Sequence, residues 1–167
     1  MNTYLARAQA EIEAATGRLT VAEIAREVPG KWSVAEILEH LMLAFEWNAA
    51  AIEKALASGD RRAGRVTLRR WLGRVLVVDI GYFPRARAPE STTPRGSVPP
   101  ERSREAILAA LAALDSLLAR AADRFGERTP LLKHPYFGGL TVGQWRRFHW
   151  RHTVHHMRQV RARSRTP

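Results

Sequence analysis

Gln144-Trp145-Arg146-Arg147-Phe148-His149-Trp150-Arg151-His152-Thr153-Val154-His155-His156-Met157-Arg158-Gln159 is the stretch from which the rest of the chain can be read, and it holds four of the six histidines. In an α-helix, side chains four apart lie on one face, so His152 and His156 are neighbours one turn apart and can reach one metal ion. His149 falls between them and Trp145 on that face, and His155 is rotated to one side. Val142, Trp145, Phe148, His149, His152, His156 and Val160 form one stripe at helical period, which turns the histidines toward a core. Buried imidazoles need partners. Several on one stripe are hard to satisfy by packing, and a single cation satisfies them together. A His-rich helix facing solvent is the competing reading of the same spacing.

Upstream, Thr141 and Gln144 have capping-box spacing, and Leu140 with Trp145 occupies the two positions of a hydrophobic staple. The same pattern opens a second helix. There Ser33 and Glu36 make the box, Trp32 and Ile37 the staple, and the helix runs to about Ser58 with Gly59 past its end. Its stripe is Ile37, His40, Leu41, Ala44, Trp47 and Ile52. A lone core-facing histidine is more often a hydrogen-bonded structural residue than a ligand. Two further histidines on another inward face reverse that preference, and His40 joins His152 and His156 as an expected three-imidazole set.

Two more long helices complete the pattern, Asn2 to Thr16 before Gly17 and Arg102 to Phe125 before Gly126. The second carries Ile107, Leu111, Leu114, Leu118, Ala121 and Phe125 at alternating steps of three and four. Thr20 to Val28, with a Thr20/Glu23 capping box, predicts a short helix ended by Pro29-Gly30. Val66 to Asp79 predicts an amphipathic helix on Leu68, Trp71, Leu72, Val75, Leu76 and Val78, after a basic break over 59–64. Gly81 to Pro100 carries five prolines and reads as a disordered segment or a covering loop anchored by Tyr82 and Phe83. A loop with Pro130, His134-Pro135 and Gly138-Gly139 precedes the histidine helix, and Ser164 to Pro167 is expected to fray. No strand pattern is legible. The expected fold is all-α: a four-helix bundle with an extra short helix and a long Pro-rich loop, one domain over 1–167.

Composition narrows the chemistry. The chain has no cysteine, which excludes disulfides, thiolate nucleophiles and Cys-ligated zinc, so a metal must use histidine, carboxylate or water. The N-terminus lacks the apolar run of a signal peptide, and no apolar stretch approaches spanning length. A cytoplasmic protein with no membrane partner is therefore the default. The net charge of +11, almost all arginine, would favour polyanions. The arginines are spread along the chain, so a solvated basic surface is the better reading and a nucleic-acid site the alternative.

Trp32-Ser33 through His40-Leu41, then His134-Pro135-Tyr136-Phe137-Gly138, Leu140-Thr141, Trp145, His152 and His156-Met157-Arg158-Gln159, resembles the DinB/YfiT-like superfamily in order and wide spacing. The resemblance implies an up-down-down-up four-helix bundle, often dimeric, holding a divalent metal on three histidines, here His40, His152 and His156. It also implies thiol-dependent transfer or metal-dependent hydrolysis of a small molecule. Three protein ligands leave an open position, the arrangement of a catalytic site. Imidazole suits zinc, nickel, iron or copper, and zinc or nickel lead the expectation. A low-molecular-weight thiol is the candidate co-reactant. His149 is open to a role as a base beside bound water or to packing, and His134 is expected to shape its loop. Gln159 and Glu36 are spaced to orient His156 and His40, with the capping box the better reading of Glu36. A basic nucleic-acid-binding bundle and a purely structural bundle stand as alternatives.

Overall fold

The computed structural model describes residues 1–60, 67–83, 87–134 and 136–164. Most of the expected basic break over 59–64, the start of the next helix at Val66, Pro84, Pro135 and the expected frayed tail from Arg165 onward lie outside the described residues. The helices are α1 (Thr3–Thr16), α2 (Val21–Ala25), α3 (Val34–Ser58), α4 (Leu68–Arg74), α5 (Ser103–Phe125) and α6 (Val142–Ser164). Among the described residues, none is long and apolar enough to cross a membrane.

The helix starts form where the caps dictate. Ser33 Oγ accepts the Glu36 amide while the Glu36 carboxylate accepts the Ser33 amide at 2.7 Å. Thr20 with Glu23 and Thr141 with Gln144 repeat the reciprocal arrangement. Each cap satisfies amides that have no partner within the helix and contributes about 1 kcal/mol. Gly59 ends α3 at φ +73°, a left-handed turn that a side chain would strain.

Hydrogen bonds between helices fix the directions. Asp115 in the middle of α5 accepts the Asn2 amide at the start of α1, and Arg104 at the start of α5 donates to Thr16 O at the end of α1, so these two are antiparallel. Tyr4 meets Arg147 and Glu11 meets Arg161, so α1 and α6 run together. Arg124 near the end of α5 donates to Leu56 O near the end of α3, and the chain just before α5 contacts Glu39 near the start of α3, so these two also run together. His40 lies against His152 and Asn48 against His149, so α3 and α6 are antiparallel. The long helices α1, α3, α5 and α6 are thus up, down, down, up. The long excursion between α3 and α5 is what two consecutive parallel helices require. One apolar core joins them, with Leu5, Ile12, Ile37, Leu41, Phe45, Ile52, Leu111, Leu114, Leu118 and Trp145 all fully or nearly fully buried. Many of the arginines tie helices together, which accounts for part of the basic charge without a polyanion.

Four expectations change. The loop before α6 is a hairpin of β1 (Pro130–His134) and β2 (Gly138–Thr141), antiparallel, with Leu132 opposite Leu140 and His134 opposite Gly138. An irregularity between Pro130 and Leu132 puts Leu131 and Leu132 both inside, which erased the alternation that would have marked a strand. Trp47 does not join the core stripe; it is 43% exposed, while Phe45 and Asn48 take the inward positions. The expected helix after residue 66 is split: α4 is followed by one turn of π-helix, Val75–Ile80, and its leucines face outward. The Pro-rich segment, for which a disordered run and a covering loop are both open, contains short 3₁₀ turns at Glu90–Thr92 and Pro100–Arg102 and is hydrogen-bonded to α3, and of its two expected anchors only Phe83 packs on the core while Tyr82 is exposed.

Candidate metal centre

α3 contributes His40 and α6 contributes His152 and His156, and one ring nitrogen from each lies within 4.8 Å of the others. His40 Nε2 is 3.4 Å from His152 Nε2, and His152 Nε2 is 3.0 Å from His156 Nε2. His40 and His156 are buried and His152 is half-buried.

The outer nitrogens decide what the inner ones present. His40 Nδ1–H donates to the Thr92 carbonyl at 2.7 Å, which leaves a bare lone pair on its Nε2. His156 Nδ1–H donates to Gln159 Oε1 at 3.0 Å, with the same result. His152 Nε2 stands between the two. A proton on it can serve only one neighbour, and its own buried Nδ1 has no partner. At least one inward lone pair is therefore left without a donor, an arrangement that a cation relieves and ordinary packing does not. Three neutral imidazole nitrogens suit a borderline divalent ion, zinc, nickel, iron or copper alike.

Charge state agrees. Burial holds the His156 imidazole down at about 3, with His40 and His155 adding to it. Burial likewise pulls His152 well below its ordinary range, reinforced by His156 and His40. His40 is also lowered by burial, against the opposing effect of its bond to Thr92. All three rings are neutral at pH 7, the form that ligates a metal.

Aromatic rings frame the group. Trp32 lies 5.0 Å from His40, Phe148 stacks on His152 at 5.4 Å, and Phe83 stacks on both His152 and His155. Of the aromatics that helical period would bring to such a pocket, Trp47, Trp145 and Phe148, only Phe148 stacks on the group, joined by Phe83; Trp145 packs deeper, against His149, and Trp47 is exposed. Gln159 couples the cluster to His155, donating to His155 Nε2 at 3.1 Å. Glu36 stays with its capping box.

His149 and His134 sit outside the group of three. His134 stacks on Phe137 at 4.2 Å and accepts the Tyr136 amide, a hairpin-shaping arrangement. His149 is fully buried, and Asn48 Nδ2, which also reaches Ala44 O, donates to its Nε2 at 3.0 Å. Burial, helped by His134, lowers His149 to about 3 from an ordinary 6.5. Between those values the unfolded chain binds a proton that the folded chain does not, so stability is full above about pH 6.5 and falls as pH falls. At about 1.4 kcal/mol per pH unit this one ring costs about 2 kcal/mol by about pH 5. Urea unfolding at pH 7 and pH 5 checks this. His149→Gln should lessen the dependence by about that amount, the other lowered histidines keeping the remainder, and an unchanged slope would contradict it.

Sequence reasoning missed Glu39. Its buried carboxylate accepts the amides of Arg95, Gly96 and Ser97 at 2.9–3.2 Å and the Ser97 hydroxyl at 2.6 Å. Burial pushes this carboxyl upward, but the four bonds outweigh it and hold its pKa below the ordinary value. Residues 39 and 40 together thereby pin one loop, whose Thr92 carbonyl sets the His40 tautomer. The only available signal was an acid beside His40 on an inward face.

The comparison with known proteins agrees with this geometry. The profile described as the DinB superfamily matches residues 4–160 of 167. No curated protein and no solved structure matches the chain. The helical bundle, the three converging histidines and a match over nearly the whole length lead to one statement of kinship: the chain belongs to the DinB superfamily.

Proposed function

We propose that the chain acts as one domain, holds a single divalent ion, zinc or nickel, on His40, His152 and His156, and serves an enzyme that hydrolyses a small organic molecule or transfers a low-molecular-weight thiol to one. The observation that carries this reading is the convergence of three Nε2 atoms, with the tautomers of His40 and His156 set from outside by Thr92 and Gln159. An ion held there supplies Lewis acidity, which lowers the pKa of water or of a thiol and polarises a substrate.

The chain's own residues do the rest. Thr92 O and Gln159 Oε1 hold the His40 and His156 rings so that Nε2 points inward. Phe83 and Phe148, 6.4 Å apart, wall the group with apolar surface that excludes water and suits an apolar substrate. His149 has its lone pair engaged by Asn48, so we assign it to packing behind His152 and not to proton transfer.

Elemental analysis of tag-free protein tests the metal reading. One zinc or nickel per chain supports it; no stoichiometric metal and no uptake on adding either ion overturns it. Thiol-transfer and ester-hydrolysis assays with and without the ion then separate the two reactions. Gln159→Leu should weaken metal affinity by about 10–100-fold, the usual effect of losing a residue that orients a ligand. Competition with a chromophoric chelator reads it, and unchanged affinity would remove Gln159 from the site.

A further inference from the structure

α4 and the π-turn after it are packed with their apolar side outward. Leu68, Leu72, Leu76 and Ile80 recur every fourth residue and form one stripe, 73%, 55%, 38% and 63% exposed, with Trp71 beside it. The inward side is fixed independently. Val77 and Val78 are buried, Gly73 lies so close to Phe137 that a Cβ there would touch its ring at 3.5 Å, and the Asp79 carboxylate accepts from Arg147 at 2.7 Å. The leucines face out because the other side is already bound to α6 and the hairpin. A contiguous apolar stripe of this kind marks an interaction surface.

Charge says what covers it. Residues 67–78, which carry this face, contain three arginines and no acid. Arg69 and Arg70, with Thr67 and Tyr136, line an open cavity of about 430 Å³ beside the leucines. A second copy docked about a two-fold axis would set this basic patch against itself, which is repulsive. Nucleic acid would match the arginines but leave the aliphatic stripe in water. An anionic lipid surface matches both, with leucines and Trp71 in the acyl boundary and arginines at the phosphates.

We propose that the face formed by α4 and Val75–Ile80 docks peripherally on anionic phospholipid bilayers. It is a surface contact, separate from the metal centre.

The test is co-sedimentation of the full, tag-free chain with vesicles of phosphatidylcholine alone and of phosphatidylcholine mixed with phosphatidylglycerol. Binding is expected only to the mixed vesicles. Leu68→Glu/Leu72→Glu should reduce it on the order of 100-fold through lost apolar insertion. Arg69→Gln/Arg70→Gln should reduce it about 30-fold, or about 1 kcal/mol per arginine. These side chains are exposed, so circular dichroism should show both variants folded. Three results would overturn the proposal: no binding to the mixed vesicles at low salt, or binding that the leucine variant leaves unchanged while duplex DNA competes it away, or self-association without vesicles that the leucine variant abolishes. The second assigns the patch to polyanions in general, and the third to a second copy of the chain.

Discussion

His152→Ala is expected to abolish metal uptake while the helices remain intact. His152 is the middle member of the three, with its Nε2 at 3.0 Å from His156 and 3.4 Å from His40. Its removal leaves two rings, on different helices, without the one that bridges them. The loss should exceed the roughly 10–100-fold expected for a supporting residue. Folding should tolerate the change. Alanine is the best helix former, and the imidazole has no outer hydrogen bond to lose, since its Nδ1 is unpartnered. Thermal unfolding separates the two effects. Zinc at about 100 times its dissociation constant adds about 2.7 kcal/mol, which for a chain of this size raises Tm by roughly 5–10 °C. The wild type should show that rise and the variant should show none, with metal-free melting temperatures close together. A full zinc-induced rise in the variant would mean the ion binds elsewhere.

Glu39→Ala should produce the largest loss of stability among single changes near the site, about 3–5 kcal/mol. Four charge-assisted hydrogen bonds end on this one buried carboxylate, and its removal leaves three loop amides unpartnered. The effect should also reach the histidines. The freed loop carries Thr92, whose carbonyl fixes the His40 ring, so zinc affinity should drop as well. Because the carboxyl's pKa is held below its ordinary 4.5, its contribution is complete above that value and is lost as pH falls through the lowered one. Hydrogen exchange at Arg95, Gly96 and Ser97 is the direct readout. Rapid exchange in the variant is expected, and unchanged protection would mean that other contacts hold the loop.

The helices of the bundle and the His152/His156 pair were legible in the sequence because both rest on local rules, and His40 joined them because its own stripe faces inward. Capping boxes at Ser33/Glu36 and Thr141/Gln144 mark helix starts through contacts three residues apart, and helical period alone puts His152 and His156 on one face. What escaped was decided by long-range packing. Leu68 and Leu72 look like a core stripe until Asp79 and Gly73 bind the opposite side to α6 and Phe137. Leu131 and Leu132 both turn inward at an irregularity, so the strand shows no alternation. Glu39 reads as a surface acid beside a histidine, because its partners lie more than fifty residues away in a loop without periodicity. Counting threes and fours puts Trp47 inside, whereas the inward path of α3 runs through Phe45 and Asn48.

Imidazoles from two antiparallel helices are expected to hold one ion. X-ray absorption at the zinc edge of protein loaded with one equivalent tests it most directly. Three imidazole nitrogens at about 2.0–2.1 Å around zinc are expected in the wild type, and two in His40→Ala. A wild-type spectrum with fewer than three imidazoles, or one that His40→Ala leaves unchanged, would contradict it.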